Sequence, residues 1–406
     1  MLLVYLLYNY FLNEIIPIFI FFWYNFNTQT MKSKLPHIGT TIFTVMSKMA
    51  NEYQAINLSQ GFPNFPVDER LISLLKETAD ENTHQYAPMA GHPLLMQEIV
   101  ALTQKNYGRT IQQDTELLIT AGATQAIFTA IQALVHAGEE VVILDPAYDC
   151  YAPAVDLCCA TPVHISLEAD FTTDWNKVEN ACNERTRMLI VNNPHNPSGR
   201  IYQEKDLQAI EHILAKYPSM VLISDEVYEY ITFEQKHISA NTRKALIDRT
   251  IITSSFGKTF HITGWKMGYL IAPEHLMVEI KKVHQYVVFC VNSVAQVALA
   301  KYLREKDVNT LGAFYQEKRD TFRNLIKSSR FELLPSEGSY FQTVNYSAIS
   351  TENDVQFCER LIKEYGVAAI PLSVFYKDKT DNNIIRFCFA KDDQTLIQAA
   401  EKLCKI

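Results

Sequence analysis

Between residues 117 and 272, short apolar, β-branched runs alternate with amphipathic stretches of helical period, and this alternation constrains the fold more than any other feature of the chain. The runs are LLIT from Leu117, EVVILD from Glu140, PVHISL from Pro162, RMLIVNN from Arg187, MVLISDE from Met220, TIITSSF from Thr250 and WKMGYLIA from Trp265. Each reads as a buried strand. Between several of them lie helical patterns such as TQAIFTAIQALVHAG from Thr124, with Gly138 in a C-cap position. Strand, helix, strand repeated in this way predicts an α/β fold: a mostly parallel seven-stranded sheet with helices on both faces. A long helical stretch follows over 274–304, and the remaining pattern, helix near Tyr315, strands FELLP and SYFQTVNY, helix from Asp354, strands VAAIP and IIRFCFA, predicts a smaller α+β lobe. The expected division is an arm at 31–60 joining the small lobe, a large domain at 61–304 and a small domain at 305–406.

Composition narrows the functions open to such a fold. A chain of 406 residues exceeds what one core usually supports, which agrees with two lobes. The net charge of −8 comes with dispersed lysines and arginines, so no nucleic-acid footprint is present and small metabolites are the expected partners. Eight scattered cysteines without a C-x-x-C or Cys/His spacing predict no metal site and a reducing, cytoplasmic setting. Residues 1–30 are far more apolar than the rest, yet they lack Lys and Arg and are interrupted by Asn9, Asn13, Glu14 and Pro17. The favoured reading is translation from Met31 with an upstream start wrongly assigned; a membrane anchor is the rival.

In an open parallel sheet, ligands sit beyond the carboxyl ends of the strands. Polar residues collect there. SSFGKTFHITGWKMGY puts Lys258 just past a strand end, where partial desolvation would lower its pKa and free the amine to attack an aldehyde; a loop lysine on the surface is the plainer alternative. MVLISDEVYEY delivers Asp225 and then Tyr228. Under a pyridine ring, Asp225 would keep the ring nitrogen protonated and Tyr228 could donate to a phenolic oxygen, whereas a helix-capping Asp needs no ligand. NNPHNPSG holds Asn196 in a tight turn where its amide could reach the same oxygen, or merely shape the turn. TAGATQAIF sets Gly122, Ala123 and Thr124 between strand and helix, a weak phosphate signal. Tyr148 in DPAYDCY could stack on a ring or simply pack. Arg386, inside an apolar strand, requires an anion, which a substrate carboxylate or a structural salt bridge would supply equally well.

The order of these motifs, with INLSQGFPNFP, HQYAPMAG, VHQYVVF and GVAAIPLSVF, resembles the fold-type I, class I/II aminotransferases from about Lys34 to the C-terminus. Within that superfamily the sequence is similar to bacterial methionine aminotransferases and the kynurenine aminotransferase/glutamine transaminase K group. The resemblance implies pyridoxal 5′-phosphate bound covalently to Lys258, with Asp225 facing the ring nitrogen, Tyr228 and Asn196 the phenolic oxygen, and Tyr148 stacked on the ring. It assigns Ser255, Lys266 and the turn at Gly122, Ala123 and Thr124 to the phosphate. Lys266 replaces an arginine common in the superfamily, as it does in the kynurenine aminotransferase group. Tyr86 would reach the phosphate of a neighbouring subunit, implying a homodimer with shared sites. Gly61, Asn196 and Arg386 match binders of the substrate carboxylate, and Phe43 with the neighbour's copy of Phe289 match side-chain pocket residues.

The implied reaction moves the amino group of an apolar or aromatic amino acid to a 2-oxo acid by a ping-pong course. HQYVVFCVNS, from His284, offers Tyr286 and Phe289 but no arginine for a second carboxylate. A cysteine-S-conjugate β-lyase using the same cofactor is one alternative. A non-catalytic regulator on an aminotransferase-like domain is another, disfavoured because residues 1–30 are too short and apolar for a DNA-binding module.

Overall fold

The computed structural model describes residues 1–17 and 32–406. The reading of Met31 as the start of translation falls outside the described residues. Contact density separates 1–38 from 39–406. In the first unit, Leu2–Tyr10 is an α-helix continued by a wider turn at Phe11–Ile15, and large side chains from Leu3 to Leu12 are exposed. No helix among the described residues is long and apolar enough to cross a membrane.

The second unit is organised by a seven-stranded sheet: β1 (Leu117–Thr120), β2 (Glu140–Asp145), β3 (Thr161–Ser166), β4 (Thr186–Asn192), β5 (Val221–Asp225), β6 (Thr250–Ser255) and β7 (Gly268–Ile271), in the order β1-β7-β6-β5-β4-β2-β3. All neighbours are parallel except those of β7, which runs antiparallel to both β1 and β6. Helices cover both faces. Gly122–Leu134 and Glu274–Val287 pack with the core on one side, and Glu204–Lys216 closes the other. Six of the runs are buried strands as read from the sequence. The seventh is not: β3 is the edge strand and is only half-buried, which also explains how it tolerates Pro162, since an edge needs no further N–H donor.

Two helix boundaries also depart from the reading. The helix after β1 ends at Leu134 because Val135 turns extended, and Gly138, at φ 84°, belongs to the following turn, its N–H bonded to Cys159 O. The stretch 274–304 is two helices, Glu274–Val287 and Ser293–Glu305. Asn292 restarts the second by accepting from Ala295 N–H at 2.9 Å, and Phe289 at φ 66° makes the break.

The C-terminal part forms a four-stranded antiparallel sheet from β8 (Glu332–Leu333), β9 (Phe341–Asn345), β10 (Ile370–Pro371) and β11 (Ile384–Cys388), ordered β10-β11-β9-β8. Leu311–Ile326 and Asp393–Leu403 pack on it through Phe322, Ile326, Leu396 and Leu403. VAAIP, expected as one strand, divides at Ala369: Val367–Ala368 pairs parallel with Ile56–Asn57 of the arm, and Ile370–Pro371 pairs with β11. The arm helix Ile42–Glu52 buries Met46 and Ala50 in the same core.

Candidate active site

The carboxyl ends of β2, β4, β5 and β6 open onto a cavity of about 320 Å³, closed from the other side by the arm and by β9 and β11. Its walls include Phe43, Gly61, Gly122, Ala123, Thr124, Tyr148 and Asn196. Asp225, Tyr228, Ser255, Lys258, Lys266 and Arg386 complete them. All the singled-out residues except Tyr86 and Phe289 thus line one space in a single chain.

Local chemistry explains why each side chain arrives there. β6 ends at Ser255, whose hydroxyl accepts from Gly257 N–H at 3.2 Å and caps the short helix Phe256–Thr259. That turn projects Lys258 into the cavity, where its Nζ donates to Gly61 O at 3.3 Å and lies 5.8 Å from the ring centres of Tyr228 and Tyr340. Burial, aided by the nearby Arg386 and Lys266 charges, brings the Lys258 amine down to about 8. It is no surface lysine.

Asp225, the last residue of β5, is 4% exposed. Burial pushes its carboxyl up to about 6, while Tyr151 Oη–H, donating to Oδ2 at 2.6 Å, and Val227 N–H pull the other way. No helix follows it, so a capping role does not account for its position. Tyr228 is buried edge-on between Tyr340 and Phe341.

Arg386 on β11 is 1% exposed, and among the described residues its hydrogen-bond partners are oxygens of amides rather than of acids. Nη1 donates to Asn196 Oδ1 at 2.7 Å, Nη2 to Ser59 O at 3.3 Å, and Nε has no partner. The guanidinium lies 3.9 Å over the Phe341 ring and 5.5 Å from those of Phe43 and Phe375. Burial without an anion lowers its proton affinity. A structural salt bridge, one of the two partners open to it from the sequence, is therefore not what satisfies it. Asn196, with its oxygen taken by Arg386, keeps its Nδ2–H groups as donors.

At the opposite end, Gly122 opens the helix Gly122–Leu134 at φ 76°, and a Cβ there would come 3.2 Å from Lys266 Nζ. Gly268 is needed for a related reason: a Cβ on it would meet Gly122 Cα at 2.9 Å. The first-turn N–H groups, Lys266 Nζ and the Ser255 hydroxyl thus face one end of the cavity, a setting that suits an anion. Tyr148 lines the same cavity, and burial pushes its hydroxyl well above the ordinary tyrosine range.

Tyr86, 83% exposed, and Phe289, 46% exposed, lie outside the cavity and pack edge-to-face on each other with ring centres 5.4 Å apart. Three contributors escaped the sequence reading. Tyr151 was within reach, since it follows Tyr148 by three residues in the same strand-end turn. Ser59 and Tyr340 carried no local signal: Tyr340 Oη–H donates to Gly61 O at 2.6 Å across a separation of 279 residues.

Comparisons with known proteins agree with this geometry. The family described as "Aminotransferase class I and II" matches residues 53–403. The chain is 47% identical to a methionine aminotransferase of Escherichia coli over 93% of its own length and 98% of the relative's. It is 33% identical to a kynurenine–oxoglutarate transaminase of Dictyostelium discoideum, over 91% and 94% respectively. A solved E. coli structure in which a methionine aminotransferase function was identified superposes with a TM-score of 0.90 at 47% identity, covering 92% of this chain and 99% of that one. The chain belongs to the class I and II aminotransferases, enzymes that move amino groups between amino acids and 2-oxo acids.

Proposed function

We propose that the enzyme binds pyridoxal 5′-phosphate in this cavity and takes its amino group from donors with apolar or aromatic side chains, methionine, phenylalanine and kynurenine-like amino acids among them. The observation that carries the reading is the buried Arg386, boxed by Phe43, Phe341 and Phe375 and with no acidic partner among the described residues, beside a lysine whose amine burial has made titratable near pH 8. The cofactor, when bound, supplies an electron sink that makes the donor's α-proton removable. The chain does the rest.

Lys258 is the attachment point and, when uncharged, the base that takes the α-proton at Nζ. Asp225 would be the anionic partner of the ring nitrogen. Tyr228 Oη–H and Asn196 Nδ2–H would donate to the phenolic oxygen, Tyr148 would stack on the ring, and the turn at Gly122, Ala123 and Thr124 would hold the phosphate with Ser255 and Lys266. Arg386 grips the donor carboxylate with two N–H groups, supported by the Gly61 backbone and Asn196. Phe43, with the Phe289 of a second copy, surrounds the donor side chain, and the Tyr86 of that copy reaches the phosphate. The reading includes a cytoplasmic homodimer, an arm at 31–60, a large domain at 61–304 and a small one at 305–406. Similarity to a methionine aminotransferase and to a kynurenine–oxoglutarate transaminase supports the donor class.

Purified holoenzyme offered L-methionine, L-phenylalanine, L-kynurenine, L-alanine and L-aspartate with 2-oxoglutarate is expected to turn over the first three with kcat/KM at least about tenfold above L-aspartate. Preference for L-aspartate would overturn the donor class. Pyruvate and ammonia released from a cysteine S-conjugate without any acceptor, faster than transamination, would favour the lyase.

A second expectation concerns Tyr151. Tyr151→Phe removes one donor from Asp225 at nearly constant volume, so the carboxyl in cofactor-free protein should titrate higher, near about 7 rather than about 6. Carbon-13 NMR titration of labelled aspartate checks it, and an unmoved midpoint would remove Tyr151 from the site's electrostatics.

A further inference from the structure

Beneath the first turn of the helix Gly122–Leu134 lies a fully buried histidine that the chemistry above does not use. His284 is 0% exposed, in the last turn of Glu274–Val287. Its surroundings fix its protonation. Ala121 N–H donates to Gln125 Oε1 at 2.9 Å, and since a backbone N–H can only donate, the amide oxygen must face it. Gln125 Nε2–H groups are then left for Thr129 Oγ1, at 2.6 Å, and for His284 Nδ1, at 3.3 Å. Nδ1 therefore accepts, and the neutral ring carries its proton on Nε2, which has no hydrogen-bond partner among the described residues. Burial, which lowers the ring's proton affinity, agrees with the neutral form.

The same residue anchors the break that precedes the next helix. Its carbonyl accepts from Val288 N–H at 3.0 Å and Phe289 N–H at 3.1 Å, holding Phe289 in the left-handed region at φ 66°, which a bulky side chain rarely adopts. Tyr86 is clamped separately: Ser293 Oγ accepts from Ala87 N–H at 3.0 Å and donates to Gln85 O at 2.7 Å. Tyr86 and Phe289 are thus an exposed aromatic pair on a rigid base, and that base is tied through His284 and Gln125 to the turn at Ala121 and Gly122.

We propose that His284 is a positioning residue that registers the Tyr86–Phe289 pair, offered to a second copy's site, against the phosphate-facing turn of its own chain. The inference rests on the reading that the pair completes a neighbouring site. It implies that cofactor affinity in one subunit and donor discrimination in its partner share one buried hinge.

The test uses holoenzyme and its cofactor-free form, with wild type, His284→Phe, His284→Asn and Phe289→Ala. Phe keeps the ring and removes the Nδ1 acceptor; Asn returns an acceptor near that place. Two quantities are read: cofactor affinity, from quenching of protein fluorescence by added pyridoxal phosphate, and the ratio of kcat/KM for L-phenylalanine over L-alanine with 2-oxoglutarate. His284→Phe is expected to weaken affinity and to lower the ratio, each by about tenfold, with His284→Asn recovering most of the affinity. Phe289→Ala should lower the ratio alone. Wild-type values of both quantities in folded His284→Phe overturn the inference. If that variant does not fold, His284→Asn decides: a fallen ratio with affinity within about twofold of wild type supports it, and an unchanged ratio overturns it. An unchanged ratio in Phe289→Ala instead removes the reading of the shared pocket on which the inference stands.

Discussion

Lys258→Ala is expected to reduce transamination by at least about 10⁴-fold while leaving the fold intact, because both the attachment amine and the proton-transferring base vanish with one side chain. The opposite sign is expected for stability. In cofactor-free protein the amine donates to a single carbonyl, Gly61 O, and its pKa is brought down to about 8 by burial. Between about pH 8 and the ordinary lysine value of about 10.4, the unfolded chain binds the proton more tightly, so this group makes stability rise with pH across that window. Below about pH 8 the penalty is complete, and removing the amine should stabilise cofactor-free protein by up to about 3 kcal/mol, a gain that fades toward pH 10.4. Chemical denaturation at pH 7 and pH 10.5 checks the sign, and product formation checks the loss. Substantial turnover by the variant would refute the role given to this lysine.

The second large effect belongs to Arg386. Arg386→Leu is expected to lower kcat/KM by about 10²- to 10³-fold, the cost of leaving a donor carboxylate in the cavity without its paired N–H groups. Arg386→Lys keeps the charge but not the fork, and the stacked position over Phe341 suits a planar cation; a loss of about tenfold or more is expected even there. Thermal unfolding of cofactor-free protein should separate the two roles of the residue. A buried cation with no acid beside it burdens the fold, so the leucine variant is expected to unfold at the same or a higher temperature. A variant that loses stability and activity together would point to a scaffold role instead.

Much of the sheet was legible because buried parallel strands are short, apolar and β-branched, and their polar ends are where sheets of this kind bind ligands. Asp225 and Tyr228 could be read together since a strand end and a three-residue spacing place both locally. What could not be read depends on neighbours. The exposure of β3 follows from its place at the edge, which no property of PVHISL encodes. The helix ends at Val135, where the backbone turns extended, and breaks at Phe289, which enters the left-handed region, against a helical pattern that continues past both. Arg386 could be seen to need an anion, but that its amide partners would be Asn196 and Ser59 rests on contacts spanning 190 and 327 residues. Tyr86 and Phe289 are exposed in the single chain, and the role proposed for them needs a second copy, which no pattern in one sequence displays.

The carbonyl of Gly61 receives two donors, Lys258 Nζ from the short helix after β6 and Tyr340 Oη from the turn before β9. One peptide oxygen thus joins the turn that carries Lys258 to the start of β9 in the smaller sheet, so a substitution at either donor would be felt at the other.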